Sequence, residues 1–182
     1  MVYTWNDIVK KEGNRFFAKT AVAKGKYKKI SHGIYVDSGE FISELEQLFV
    51  QYPRATLTMQ SAFDYYEMSD YVPDKYYLVT PYNSHTIKNK KVSQSYMSDN
   101  IIDIGRVKVE TKYGYIFIYD RERMLIELFR LKNKFPRAYF LEIIKSYRSL
   151  KEEGAISSYK LSDYCKHFKN GPKIIETIQE IL

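Results

Sequence analysis

Three glycines, Gly13, Gly25 and Gly33, punctuate the first 36 residues, and the short segments between them constrain the local topology more than any other feature of the chain. Thr4 followed by Asp7 has the spacing of a capping box variant, after which Trp5, Ile8 and Val9 fall on one helical face until Gly13 ends the helix. Asn14 is placed to cap a second helix through Lys24. Its expected buried stripe is Phe17, Ala18, Ala21 and Val22, with Arg15, Lys19 and Lys24 directed elsewhere and Gly25 as terminator. Residues 27–36 then carry β-branched and aromatic residues on either side of Ser31, His32 and Gly33, the pattern of a tight hairpin. Helix, turn, helix, basic hairpin is the order of a winged helix-turn-helix.

The charge distribution marks the same stretch. Residues 1–36 carry eight Lys and Arg (Lys10, Lys11, Arg15, Lys19, Lys24, Lys26, Lys28, Lys29) against Asp7 and Glu12. The remaining chain is close to neutral although the whole carries +7, so the positive field belongs to the head and suits a polyanion. Two parts are expected, a module over residues 1–36 and a body over residues 37–182.

The body reads as mixed α/β with a helical C-terminal layer, which makes the whole chain α+β. After a polar hinge at residues 37–40, Phe41, Leu45, Leu48 and Phe49 recur at helical spacing up to Tyr52 and Pro53. A short strand at residues 55–58 leads into a helix near 60–67. Strands are expected at 75–80 and 92–96, with a hairpin of 106–111 and 115–119 turning at Lys112, Tyr113 and Gly114. Asp120 is a helix cap, with Met124, Leu125, Leu128 and Phe129 on one face. Pro136 suits the first turn of another helix, closed by Gly154, and helices over 157–169 and 172–182 complete the set.

The single cysteine, Cys165, permits no intramolecular disulfide, and the N-terminus lacks the apolar core of a signal peptide. No stretch approaches the roughly 20 apolar residues of a membrane span. A cytoplasmic protein with no membrane partner is the expectation. The 18 Tyr suit an amphipathic core periphery in which hydroxyls stay hydrogen-bonded, with a Tyr-rich contact surface as the alternative.

In a winged helix-turn-helix the second helix of the turn motif enters the major groove while the hairpin rides along the backbone, so both need cations. On the second helix these are Arg15, Lys19 and Lys24, with Arg15 nearest the end that meets base edges. On the hairpin, Lys26, Lys28 and Lys29 are placed for phosphates, giving salt-sensitive affinity without sequence readout, and His32 sits at the wing tip.

The run NRFFAKTAVAKGKYKKISHGIYV, residues 14–36, resembles the recognition helix and wing of the AbiEi family of antitoxins and transcriptional regulators. That family's wing ends in a small residue, a basic residue and Gly-Ile-Tyr; Ser31, His32, Gly33, Ile34 and Tyr35 occupy those positions, with His replacing the usual Arg. YPRATLTMQSAFDYYEMSD, LVTPYNSHTIK and VKVETKYGYIFIYDRERMLIELFR are similar to further segments of the family, so the likeness runs along nearly the whole chain. A complete head of this kind carries another helix before Thr4, where this sequence has only Met1 to Tyr3. The resemblance therefore implies a truncated module whose DNA contact is weakened, supplied through dimerisation, or lost. It also implies an antitoxin that represses a shared promoter at an inverted repeat. Its partner would be a nucleotidyltransferase-type toxin encoded beside it for abortive phage defence, countered without a lasting complex.

Enzymatic readings find less support. The chain has no Gly-Ser followed by paired aspartates, no Walker-type loop and no Cys/His metal spacing, so no catalytic residue, metal or cofactor is expected. The enzymatic alternative is a metal-dependent nuclease built on Asp103 with Glu110, Thr111 and Lys112. A protein-interaction module without DNA binding is the other alternative.

Overall fold

The computed structural model describes residues 1–182, which divide into two compact units: Met1–Pro53 with Val109–Ile116, and Arg54–Lys108 with Phe117–Leu182. The architecture is α+β.

The first unit runs β1 (Val2–Thr4), α1 (Trp5–Glu12), α2 (Arg15–Ala23), β2 (Tyr27–Ser31), β3 (Ile34–Asp37) and α3 (Glu44–Gln51). Thr4 and Asp7 close the expected capping box, Gly13 ends α1 at φ 93°, and the Asn14 side chain accepts from the Phe17 amide. Strand β1 has no counterpart in the sequence reading. It pairs with β3, giving a three-stranded antiparallel sheet in the order β1-β3-β2 with β2 on an edge. Strand, helix, helix, hairpin with this order is a winged helix-turn-helix-like module in which β1 stands directly ahead of α1.

Side chains alternate along a strand, so register assigns each residue a face. Tyr3 stands beside Tyr35, and Tyr27 opposite Asp37; this face packs with Ile8, Ala18 and Ala21 of the two helices. Val2 stands beside Val36, and this second face packs with Ile42, Val50 and Tyr113. A sheet apolar on both sides needs a cover on each. The first unit therefore does not close at residue 36, as the charge break suggests, but takes in α3 and the tip of a later hairpin. Two expected core residues are also misplaced. Phe17 is 55% exposed, and Phe41 is 86% exposed because the Ser43–Glu46 capping box starts α3 beyond it and Ile42 is buried instead.

The second unit follows with β4 (Thr56–Leu57), α4 (Met59–Tyr65), β5 (Tyr76–Pro81), β6 (Val92–Met97) and a one-turn helix α5 (Asp99–Ile102). Strands β7 (Arg106–Thr111) and β8 (Gly114–Tyr119) form the hairpin whose tip belongs to the first unit. Helices α6 (Arg121–Arg130), α7 (Arg137–Glu152), α8 (Ser158–Cys165) and α9 (Gly171–Ile181) complete it. The sheet order is β6-β5-β4-β8-β7, mixed, with β5–β6 and β4–β8 parallel. Leu57, Leu78, Val79 and Ile118 from the sheet, Phe63 from α4, Met124, Leu125 and Leu128 from α6, and Ile143 and Tyr147 from α7 are buried as its core.

Tyrosines serve this core as the composition suggests. Buried Tyr119 donates to the Ile102 carbonyl at 2.9 Å, Tyr147 to the Arg121 carbonyl at 2.8 Å, and Tyr66 to the Tyr119 carbonyl at 2.9 Å. Burial raises the Tyr66 phenol to about 12 and pushes Tyr147 well above its ordinary value, so these hydroxyls remain donors.

At the centre is Arg123, fully buried on α6. Its guanidinium donates to the Glu127 carboxylate at 3.0 Å and to the Ile101 and Ile104 carbonyls at 2.8 and 3.0 Å. It also lies over the rings of Tyr119 and Phe168. Gly105, at φ +69°, comes so close that an added Cβ would lie 2.5 Å from the Arg123 Cβ. Removing one member of a buried pair leaves an uncompensated charge and orphaned carbonyls, so Arg123→Ala is expected to destabilise the protein by about 3–5 kcal/mol. Arg130→Ala removes a partly exposed partner of the same Glu127 and is expected to cost about 1 kcal/mol. Urea denaturation measures both, and equal losses would contradict the central role given to Arg123.

Candidate nucleic-acid interface

Helix α2 presents its side chains about 100° apart per residue. Ala18, Ala21 and Val22 define the inward side, since Ala18 and Ala21 are buried and Val22 packs against the same cluster. On the wheel, Arg15 and Lys19 then share one edge of the outward side. Phe16, Thr20 and Ala23 occupy its middle, and Lys24, the C-cap residue, falls on the opposite edge with Phe17. The cations thus flank the exposed face from two sides rather than forming the single row the sequence suggests.

The hairpin is also more divided than expected. Lys28 stands opposite Val36 and Lys29 opposite Tyr35, so they project from opposite faces of β2. Being on an edge strand, both remain exposed. His32 is exposed in the turn, where Gly33 supplies the positive φ of 74°. Lys26 departs most from expectation: its ammonium is 2.6 Å from the Glu12 carboxylate and 5.6 Å from the centre of the Tyr27 ring. That pair ties the end of α1 to the start of the hairpin, a structural task that competes with phosphate contact.

Five of the seven acidic residues of this unit are engaged elsewhere. Asp7 and Glu46 close capping boxes, Glu12 holds Lys26, Asp37 lies 3.9 Å from Lys11, and Glu40 meets Lys112 and the N-terminal ammonium. Counted over its compact boundaries, the unit carries nine Lys and Arg against seven Asp and Glu, so the field is a property of one surface and not of the whole unit. Arg15, Lys19, Lys24, Lys28 and Lys29 are exposed and enter no ion pair. Sequence reasoning assigned Phe16, Thr20 and Ala23 to neither face; Phe16 and Ala23 are exposed and Thr20 is half-buried, while Phe17, which its spacing marked as core, is exposed.

The residues of the nuclease alternative are engaged separately: Asp103 pairs with Arg106 at 3.2 Å and Lys112 with Glu40 at 3.3 Å. In the second unit a cleft of about 450 Å³ lies among Thr58, Tyr77, Ser95, Glu127, Arg130 and Lys134. Its one carboxylate, Glu127, is held between Arg123 and Arg130. No helix is long and apolar enough to cross a membrane.

No family model matches the chain, and no curated protein matches it in sequence. Among solved structures, the RV2827C protein from Mycobacterium tuberculosis is similar with a TM-score of 0.67. The similarity covers 100% of this chain and 72% of that one at 14% sequence identity, and it shows a shared fold.

The Lys26 ammonium, and after it the Tyr27 hydroxyl, hold the Glu12 carboxyl below its ordinary value of 4.5. The contribution of this pair to stability is therefore present above the unfolded-state value and is lost as pH falls through the depressed folded value. Lys26→Met is expected to move the Glu12 titration midpoint upward in a carboxyl-detected NMR titration. An unmoved midpoint would show that the pair does not form in solution.

Proposed function

We propose that this chain is a DNA-binding regulator and antitoxin. Its first unit engages duplex DNA at its own promoter through α2 and the wing, and the rest of the protein counteracts a nucleotidyltransferase-type toxin. The observation that carries the DNA half is the pair Arg15 and Lys19, exposed on one edge of the second helix of a winged helix-turn-helix-like module and free of acidic partners. Lys24 on the other edge of α2, and Lys28, Lys29 and the exposed His32 on the hairpin, supply further cations and a donor for the phosphate backbone. Lys26 is the least committed member of the set, since Glu12 already holds it. The antitoxin half rests on the likeness of the chain's segments to the AbiEi family, and that family's functional pairing implies no stable complex with the toxin.

Binding to an inverted repeat upstream of the gene is expected to weaken steeply with salt, by about 0.9 in log K per log unit of salt for each phosphate neutralised. An Arg15→Ala, Lys19→Ala double variant is expected to lose about tenfold or more in affinity and to show a shallower salt slope. Fluorescence anisotropy across a salt series measures both. Absence of promoter binding, or an unchanged double variant, would overturn the DNA half. Expressed in full length beside the toxin, the same variant is expected to keep its protective effect, because protection is assigned to the second unit. Loss of protection in a folded double variant would overturn that division of labour.

A further inference from the structure

We infer that α2 reads thymine methyl groups in the major groove through Phe16, with Thr20 and Ala23 beside it. The inference rests on the DNA-binding reading above and adds the chemistry of its specificity. Phe16 is 73% exposed and Phe17 55%, with ring centres 5.7 Å apart in an edge-on arrangement. Leaving a Phe side chain in water forgoes about 1.5–3 kcal/mol of burial, and apolar surface rimmed by polar residues marks a contact site.

Three features identify the occupant. The middle of the exposed face of α2 is Phe16, Thr20 and Ala23, and these residue types contact the thymine 5-methyl group. The Thr20 hydroxyl donates to the Phe16 carbonyl at 3.0 Å, which occupies its proton within the helix and leaves its methyl and an accepting oxygen to offer a base. Arg15 and Lys19 lie on one side of this strip and Lys24 on the other, while Asp7, Glu12, Asp37, Glu40 and Glu46 are engaged in caps and ion pairs. Such an apolar strip bordered by unpaired cations is complementary to a groove bordered by two phosphate backbones. The thymine methyl is displayed only in the major groove, where the second helix of a helix-turn-helix lies.

The experiment uses the full chain and duplexes it selects from a random-sequence pool, in which thymine is replaced by deoxyuridine one position at a time. Deoxyuridine removes the methyl group and leaves base pairing unchanged. At one or more positions the wild type is expected to lose about fourfold in affinity, the value of burying one methyl-sized group. Phe16→Ala, whose ring is exposed and whose loss leaves the core intact, is expected to bind thymine and deoxyuridine duplexes alike with the wild-type salt slope. Wild-type binding that is specific yet indifferent to every replacement overturns the thymine reading while leaving DNA binding in place. So does a Phe16→Ala variant that still discriminates, or one that instead loses self-association in sedimentation. Failure to bind any duplex rejects the DNA-binding reading itself, and this inference with it.

Discussion

The second unit is organised around one buried cation. Arg123 is fully buried, and a charge in that position is tolerated only when it is paired and hydrogen-bonded. Its partners come from separate segments: Glu127 one turn along α6, the carbonyls of Ile101 and Ile104 after β6, and the rings of Tyr119 on β8 and Phe168 after α8. Holding the guanidinium thus fixes where the end of the sheet meets the helical layer. Neighbouring details follow from it. Asp120 caps α6 through the Arg123 amide while accepting from the Tyr164 hydroxyl at 2.9 Å, and Gly105 is required where the backbone passes against the Arg123 side chain. Glu122 receives the Ser157 amide at 2.9 Å and so anchors the segment leading into α8.

The first unit is stabilised differently. Its sheet is thin and apolar on both faces, so it is sandwiched between two helices on one side and a second apolar group, Ile42, Val50 and Tyr113, on the other. Ion pairs and caps absorb five of its seven carboxylates around the edges. Among what this leaves uncovered are the outward side of α2 and the edge strand β2, which carry Arg15, Lys19, Lys24, Lys28 and Lys29 outside any ion pair. The candidate interface is therefore built from residues that neither core nor charge pairing uses.

Much of this was legible in the sequence where the signal is local. Thr4 with Asp7, Asn14 and Asp120 announce helix starts because their side chains meet backbone amides within one turn. Gly13 and Gly33 announce breaks because the backbone there takes positive φ. Features that depend on distant partners were not legible. Three residues of β1 carry no periodic pattern and become a strand only because β3 offers an edge. Phe17 looks like core at helical spacing, yet spacing cannot say whether anything covers it. The Glu12–Lys26 pair, which takes one cation out of the candidate interface, joins residues on different elements. Arg123 reads as an ordinary charge at a helix start, and only the converging carbonyls and rings show why it is buried. The boundary at residue 36 followed charge, whereas the physical boundary follows the need to cover the sheet's second face.

The most direct test of the central claim is to map, by NMR on the full chain, the amide and side-chain resonances that move when duplex DNA from the region upstream of the gene is added. Changes concentrated on Arg15, Phe16, Lys19, Thr20 and Ala23, with weaker changes at Lys28, Lys29 and His32, are the expected result. Changes confined to residues 54–108 and 117–182, or no change at low salt, would contradict the assignment of DNA binding to α2 and the wing.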